Sequence, residues 1–162
     1  MPLRLSPTQA AFNARGDGSF NVPFAQQVQF LMTNILPMAY QLNHGGWDST
    51  EEIIECLRDT KELLVIGGVI WGTIKKGDHF VGSHNIKTPE KFWKVITAGD
   101  GSTIAWLMPN NASATKANLD KFLSTPAKLE SQSRQKQPEV PKAWRKKKPL
   151  TSWAVPGGCD LS

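Results

Sequence analysis

The chain has 162 residues, the size of one domain, and its 40% hydrophobic and 20% charged residues exclude a wholly disordered protein. Two cysteines exclude a disulfide-rich scaffold, and the longest apolar stretches fall short of the ~20 residues that a membrane span needs. The net charge of +5 is concentrated after residue 130, where seven Lys and Arg stand against two Asp and Glu.

The first 22 residues show no hydrophobic periodicity and are predicted to be irregular. The clearest helix is predicted from about Asp48 to Thr60, where apolar residues recur at helical spacing. Ser49 and Glu52 fit a capping box, in which the Ser hydroxyl accepts a hydrogen bond from a backbone N–H of the first turn. The helix is therefore expected to begin at Asp48 or Ser49 as its cap.

A set of strands is predicted after this helix, from β-branched and aromatic runs bounded by turn residues. The three longest are residues 62–71, 92–97 and 103–108. The Asp100-Gly101 pair predicts a hairpin between the last two, and Gly67-Gly68 predicts a bulge or a close backbone approach in the first. A short strand at 122–124 precedes a helix at 126–133, for which Thr125 is the predicted cap. The order indicates an α+β domain with a mainly antiparallel sheet.

The C-terminal fifth of the chain is basic and proline-rich, and we expect an extended or partly disordered tail. Its basic residues with interleaved Trp144 and Trp153 are consistent with a segment that binds a polyanion through phosphate contacts and stacking. The alternative is a solvated linker whose two tryptophans pack back onto the domain. The candidate phosphate ligands are Lys142, Arg145, Lys146, Lys147 and Lys148.

The segment just before the first helix carries the most distinctive polar residues, Asn43 and His44, followed by Gly45-Gly46. An Asn side-chain oxygen is a hard ligand suited to Mg²⁺, which takes few protein ligands and keeps several waters. The alternative is that Asn43 caps the helix and the two glycines make a turn. Spacing alone favours this second interpretation.

A resemblance to the DNA/RNA non-specific endonucleases of the ββα-metal class is carried by FLMTNILPMAYQLNHGGWDSTEEIIECLRD, followed by LLVIGGVIWG. The family has a Leu-Asn-x-Gly-x-Trp element leading into a Glu-bearing helix, and its later strands resemble TPEKFWKVI and IAWLMPN. The resemblance runs in the family's order from about Phe30 to Glu130. It implies an α+β fold with a mainly antiparallel sheet and a central acidic helix, with the family's N-terminal hairpin truncated here.

The resemblance implies a Mg²⁺-dependent endonuclease that hydrolyses phosphodiester bonds of DNA and RNA without sequence preference. Asn43 falls on the family's Asn that holds a single Mg²⁺, whose other ligands are mostly water. Glu51 falls on the helix Glu that orients this hydrated ion. The family's arginine four residues later is replaced here by Glu55, with Arg58 one turn further on.

The upstream motif departs from the family. In these enzymes the His of an Asp-Arg-Gly-His motif takes the proton from the attacking water. The nearest match is Ala14-Arg15-Gly16-Asp17, so Arg15 is the position carried over and Asp17 stands where the His belongs. No histidine precedes His44. An Asp is a weak base at neutral pH.

Three interpretations stay open for this chain. It is a truncated or diverged nuclease with little activity, an active nuclease that uses Asp17 or a displaced His, or a non-catalytic nucleic-acid-binding module that uses the basic tail. In each of them residues 1–22 form an irregular segment, 23–133 the endonuclease-like domain and 134–162 the tail.

The state of the two cysteines is informative about the cellular compartment of the protein. Cys56 lies on the predicted helix and Cys159 in the tail, and the two either form a bridge that closes a loop of about 100 residues or remain free thiols. Many members of the family are exported, which favours a secreted protein with an oxidising environment for such a bridge. The first residues lack the apolar run of a signal peptide, so none is expected in this chain.

Overall fold

The computed structural model describes residues 36–72, 88–137 and 139–159, and those of them from Met38 onward belong to one compact unit. The predicted truncation of the N-terminal hairpin and the predicted irregular segment concern residues outside the described ranges. The elements, in chain order, are a π-helical segment Leu42–Trp47, α1 Asp48–Arg58, β1 Leu63–Ile70, β2 Lys91–Ala98, β3 Thr103–Pro109, a 3₁₀ helix Lys116–Phe122, β4 Leu123–Ser124 and α2 Pro126–Ser133.

The four strands form one antiparallel sheet in the order β1-β2-β3-β4, which confirms the α+β prediction. Pairing of β1 with β2 runs without interruption from Leu63 opposite Ala98 to Ile70 opposite Lys91. The glycine pair in β1 is therefore not a bulge. A Cβ on Gly68 would lie 2.6 Å from the Trp93 ring, so the close-approach alternative is the one that the structure shows.

The turn between β2 and β3 is the predicted hairpin. Gly101 adopts a φ of +85°, a conformation that residues with a Cβ rarely take. The Asp100 carboxylate accepts hydrogen bonds from the Ser102 hydroxyl at 2.6 Å and from its backbone N–H at 2.9 Å. These bonds lower the pKa of Asp100, because they favour its ionised form.

The sheet carries different elements on its two faces, because successive side chains of a strand point to opposite sides. Phe92 of β2 packs edge-to-face against Trp47, with ring centroids 5.6 Å apart, on the face that α1 covers. The next residue, Trp93, lies in a buried cluster on the other face with Leu129 of α2 and Val140 of the tail. The sheet thus has α1 on one face and α2 with the first part of the tail on the other.

The start of α1 corrects one sequence prediction, since Ser49 and Glu52 form no capping box. The helix continues directly from the π-helical segment, and Trp47, the residue before it, already has helical backbone angles. The Ser49 hydroxyl instead donates back to the Gly45 carbonyl at 2.7 Å. The N–H groups that a cap would satisfy lie within a continuing helix and need no side-chain acceptor. At α2 the prediction is confirmed, because Thr125 Oγ1 accepts from the Lys128 N–H at 3.1 Å.

The tail packs along the domain from residue 139 to residue 159 without a helix or a strand, so only the disordered part of the predicted extended or partly disordered tail is wrong there. Trp144 packs against the buried cluster, and the Arg145 guanidinium binds the Glu130 carboxylate of α2. Further along, the Ser152 hydroxyl accepts from the Trp106 indole N–H at 3.0 Å, and the Ser152 N–H donates to Asp120 at 2.7 Å. The tail thus folds back onto the domain, with Trp144 packed against it, and its binding to a polyanion stays a prediction.

The end of the tail is covalently tied to α1. Cys56 and Cys159 form a disulfide with Cα atoms 5.5 Å apart, within the range that bridges require. The bridged interpretation of the two cysteines is therefore confirmed, and the free-thiol alternative is not. In the ranges 36–72, 88–137 and 139–159, none of the helices is long and apolar enough to cross a membrane.

Candidate metal and catalytic site

The π-helical segment is held against the loop after β3 by its two glycines. The Gly46 N–H donates to the Ala114 carbonyl at 2.9 Å, and a Cβ on Gly46 would lie 2.9 Å from that same oxygen. A Cβ on Gly45 would lie 3.0 Å from the Lys116 nitrogen. The glycine pair therefore permits close packing of a helix, and the predicted turn is wrong.

The residue just after β3 fixes where this helical path begins. Asn110 Oδ1 accepts from the Ala39 N–H at 2.7 Å, and Asn110 Nδ2 donates to the Pro89 carbonyl at 2.8 Å. One carboxamide thus ties the start of the helix to the entry of β2. The sequence analysis assigned no role to Asn110, although it is the last residue of the IAWLMPN element.

Asn43 lies inside the π-helical segment with an exposed side chain, so the capping alternative is wrong. Its own N–H donates to the Ala39 carbonyl at 2.9 Å. Residues seven apart share one face of an α-helix, and a wider π-helical turn holds an additional residue. For Asn43 and Glu51, eight residues apart, these periods predict a common side of the helix and a separation of about two turns or ~11 Å along its axis.

Glu51 is half-buried, with 19% of its side chain exposed, and it faces a buried lysine of the sheet. Lys94 Nζ lies 3.8 Å from Glu51 Oε1 and donates to Thr50 Oγ1 at 2.7 Å. Nζ is also 3.8 Å from the centroid of the Trp47 ring. Burial lowers the pKa of Lys94 to about 8, and the Glu51 carboxylate opposes that shift. Sequence reasoning missed Lys94, although a lysine within the apolar run FWKVIT was a signal.

At the position where the resemblance implies an arginine, the chain has a carboxylate that forms an ion pair within α1. Glu55, four residues after Glu51, binds Arg58 with a distance of 2.8 Å between Oε1 and Nη2. The Arg58 Nε also lies 3.8 Å from Asp59. The guanidinium one turn later is thus directed at carboxylates of its own helix.

A cavity of about 220 Å³ lies beside α1 but does not contain the candidate site. Its lining includes Glu52, Lys116 and Trp153, and neither Asn43 nor Glu51 takes part. Glu52 binds Lys116 at 2.6 Å. The part of the chain that the structure describes contains no group of three or more His, Cys, Asp and Glu residues able to hold a metal.

The remaining predicted site residues fall in two places. Arg15 and Asp17 lie outside the described residues. In the tail, Arg145 is engaged by Glu130, whereas the other four basic side chains are exposed. These four, which we call the tail lysines, are Lys142, Lys146, Lys147 and Lys148. Val140 and Trp144, which are close to these lysines in sequence, pack with the cluster on the face of the sheet opposite α1.

Comparison with known proteins identifies the family. The model of the DNA/RNA non-specific endonuclease family matches residues 12–138, which is most of the chain and includes Asn43, Glu51 and Lys94. No curated protein matches the chain. On the evidence of this match, together with the sheet and the Glu-bearing helix described above, the chain belongs to the DNA/RNA non-specific endonuclease family.

Proposed function

We propose that the protein is a Mg²⁺-dependent endonuclease that hydrolyses phosphodiester bonds in DNA and RNA without sequence preference. The proposal is supported by exposed Asn43 and half-buried Glu51, which lie eight residues apart on one continuous helical path. Both offer oxygen donors of the kind that Mg²⁺ prefers, and the exposure of Asn43 leaves room for coordinated water. Membership of a nuclease family supports the substrate class.

The residues present fit a single hydrated ion. Asn43 would hold it through the carboxamide oxygen, and Glu51 would orient the ion's water ligands by accepting their hydrogen bonds. When bound, Mg²⁺ stabilises the charge that develops on the phosphate and on the leaving 3′ oxygen. Asp17, at the position of the family's His, is the candidate to accept the proton of the attacking water.

The proposal is tested by cleavage of a supercoiled plasmid and an unstructured RNA. We expect Mg²⁺ to support cleavage of both and EDTA to abolish it. Asn43→Ala and Glu51→Gln should each lower the rate at limiting Mg²⁺ by about 10–100-fold, the usual loss when a metal's ligand environment is altered. Glu52→Gln is the matched control, because Glu52 binds Lys116 and not the candidate site, and its rate should equal that of the wild type.

Three results would count against the proposal. They are cleavage that persists in EDTA, an Asn43→Ala variant as active as the wild type at limiting Mg²⁺, and a wild type that binds nucleic acid without cutting it. The last result would instead support the non-catalytic binding module, for which the exposed tail lysines are the favoured contact surface.

The tail lysines are proposed as phosphate contacts outside the cleavage site. Each phosphate contact adds about −0.9 to the slope of log affinity against log salt for duplex DNA. Replacing Lys147 and Lys148 by Gln should therefore reduce the slope by about 2 in filter binding with EDTA present. The same change at exposed Lys61 and Lys121 is the control and should leave the slope unaltered. Equal slopes for the two double variants would remove the tail lysines from the interface.

The disulfide supports an exported protein as a further part of the proposal. Bridges persist in oxidising compartments and are rare where thiols are kept reduced. The Cys56–Cys159 pair joins distant parts of the described chain, so it is part of the folded structure. The proposed compartment rests on this bridge and on the export of many members of the family.

A further inference from the structure

Lys94 is almost completely enclosed, with 1% of its side chain exposed, in the middle of β2. Its ammonium donates to Thr50 Oγ1 at 2.7 Å and lies over the Trp47 ring at 3.8 Å. The Thr50 hydroxyl donates its own proton to the Trp47 carbonyl at 2.6 Å, so its oxygen is oriented to accept from Lys94. Two consecutive turns of the helix thus fix the position of one buried cation.

The third neighbour of this cation is Glu51, whose Oε1 lies 3.8 Å from Lys94 Nζ. Thr50, which accepts a hydrogen bond from the Lys94 ammonium, directly precedes Glu51, which lies beside the same ammonium. The hydrogen bond to Thr50 and the face of the Trp47 ring hold Lys94 Nζ in place. The Glu51 carboxylate is therefore attracted to a positive charge at a fixed position. The arrangement restricts the carboxylate to one side of its helix.

A contribution to stability does not explain why a lysine occupies this buried position. Burying a charged group is unfavourable, and a buried ion pair is often replaced by apolar residues of similar volume without loss of stability. The flanking residues Phe92 and Ile96 on the same face are buried and apolar, which shows that this face accepts such side chains. A charge retained in such a place is characteristic of functional sites.

We infer that Lys94 is a positioning residue, which holds the Glu51 carboxylate in the orientation needed to bind the water ligands of the Mg²⁺ at Asn43. This inference rests on the proposed function. Lys94 contacts neither substrate nor metal in it and acts through Glu51 alone.

Removal of the charge separates positioning from simple electrostatics. A lysine near a cation site repels the cation, so Lys94→Met should strengthen metal binding if charge alone mattered. If Lys94 orients Glu51, the same substitution should weaken metal binding. Loss of a residue that orients the groups around a metal commonly reduces metal affinity 10–100-fold. The two explanations thus predict opposite changes in metal affinity for Lys94→Met.

The experiment measures binding of Mn²⁺, used in place of Mg²⁺, by the electron paramagnetic resonance signal of the free ion in the intact protein. Plasmid cleavage in Mg²⁺ and the thermal unfolding midpoint are recorded for the same samples. Lys91→Met, a lysine of the same strand that is only partly buried, is the matched control. We expect Lys94→Met to bind Mn²⁺ at least tenfold more weakly and to cleave at least tenfold more slowly, with Lys91→Met unchanged.

A second variant restores the cation. Both cysteines of the chain form the bridge, so Lys94→Cys would introduce the single free thiol. Alkylation of that thiol with bromoethylamine in non-reducing denaturant, followed by refolding, gives a side chain nearly identical in length and charge to lysine. We expect the alkylated protein to recover most of the Mn²⁺ affinity that Lys94→Cys loses. Recovery by the added ammonium would show that the losses do not come from misfolding.

The outcomes separate the inference from the proposed function. Mn²⁺ affinity in Lys94→Met that equals or exceeds that of the wild type, in a protein that melts cooperatively, overturns the inference while the proposed function stands. Failure of the alkylated thiol to restore affinity also overturns it. A wild type that neither binds Mn²⁺ nor cleaves in Mg²⁺ overturns both.

Discussion

Replacing both bridge cysteines by alanine is expected to lower the free energy of unfolding by about 4–5 kcal/mol, the value given by chain entropy for a loop of roughly 100 residues. Cys56 and Cys159 are 103 residues apart, so the bridge closes most of the described chain. Domains of this size have total stabilities of about 5–15 kcal/mol. Loss of the bridge should therefore leave the protein close to its limit of stability.

The measurement is urea unfolding of the wild type, the reduced wild type and the double variant. The reduced protein serves as a control for the packing of Cys56, which is 6% exposed and contributes to the core, because reduction leaves both side chains in place. Coincident curves for oxidised and reduced protein would contradict the prediction. Thiol labelling of protein from its native source extends the test to the compartment, since an exported, bridged protein leaves neither cysteine reactive.

The local signals in the sequence located most of the elements. Alternation and β-branched runs placed β1, β2 and β3 to within one residue at each end, because these strands are set by nearby side chains and by turn residues. The α2 helix begins and ends where its Thr125 cap and Pro126 predicted. The Asp100-Gly101 pair predicted the hairpin for the same local reason, since Gly101 takes the positive φ that the turn requires.

Features that depend on distant contacts could not be predicted from local patterns. The Ser49–Glu52 pair has the residues of a capping box, but the helix continues before it because Gly46 packs against Ala114. The role of Lys94 depends on Thr50, 44 residues earlier in the chain. Composition alone indicated a disordered tail, and the contacts that order it come from α2, β3 and the bridge. In the candidate site, the residue types were readable from sequence, whereas the π-helical segment that contains Asn43 was not.

The resemblance implies a His as general base at the position of Asp17, and Asp17→His is expected to raise the cleavage rate at pH 8 by at least tenfold. An Asp of ordinary pKa near 3.9 is a weaker proton acceptor than a His of pKa near 6.5. General-base catalysis contributes about 10²–10⁴-fold, and its size increases with the basicity of the acceptor as long as that acceptor is unprotonated. Asp17→Ala, which has no acceptor at this position, is the control.

The pH dependence of the rate identifies the base. An Asp with the reference pKa near 3.9 is ionised throughout pH 5–8, so an Asp base predicts a wild-type rate that is nearly constant over that range. A His must lose its proton to act, so the rate of Asp17→His should rise through its pKa, by about 30-fold between pH 5 and pH 8. The advantage of the variant should thus be large at pH 8 and vanish near pH 5. A variant that matches Asp17→Ala at every pH would show that position 17 does not reach the attacking water, and the base would then have to be sought elsewhere in the chain.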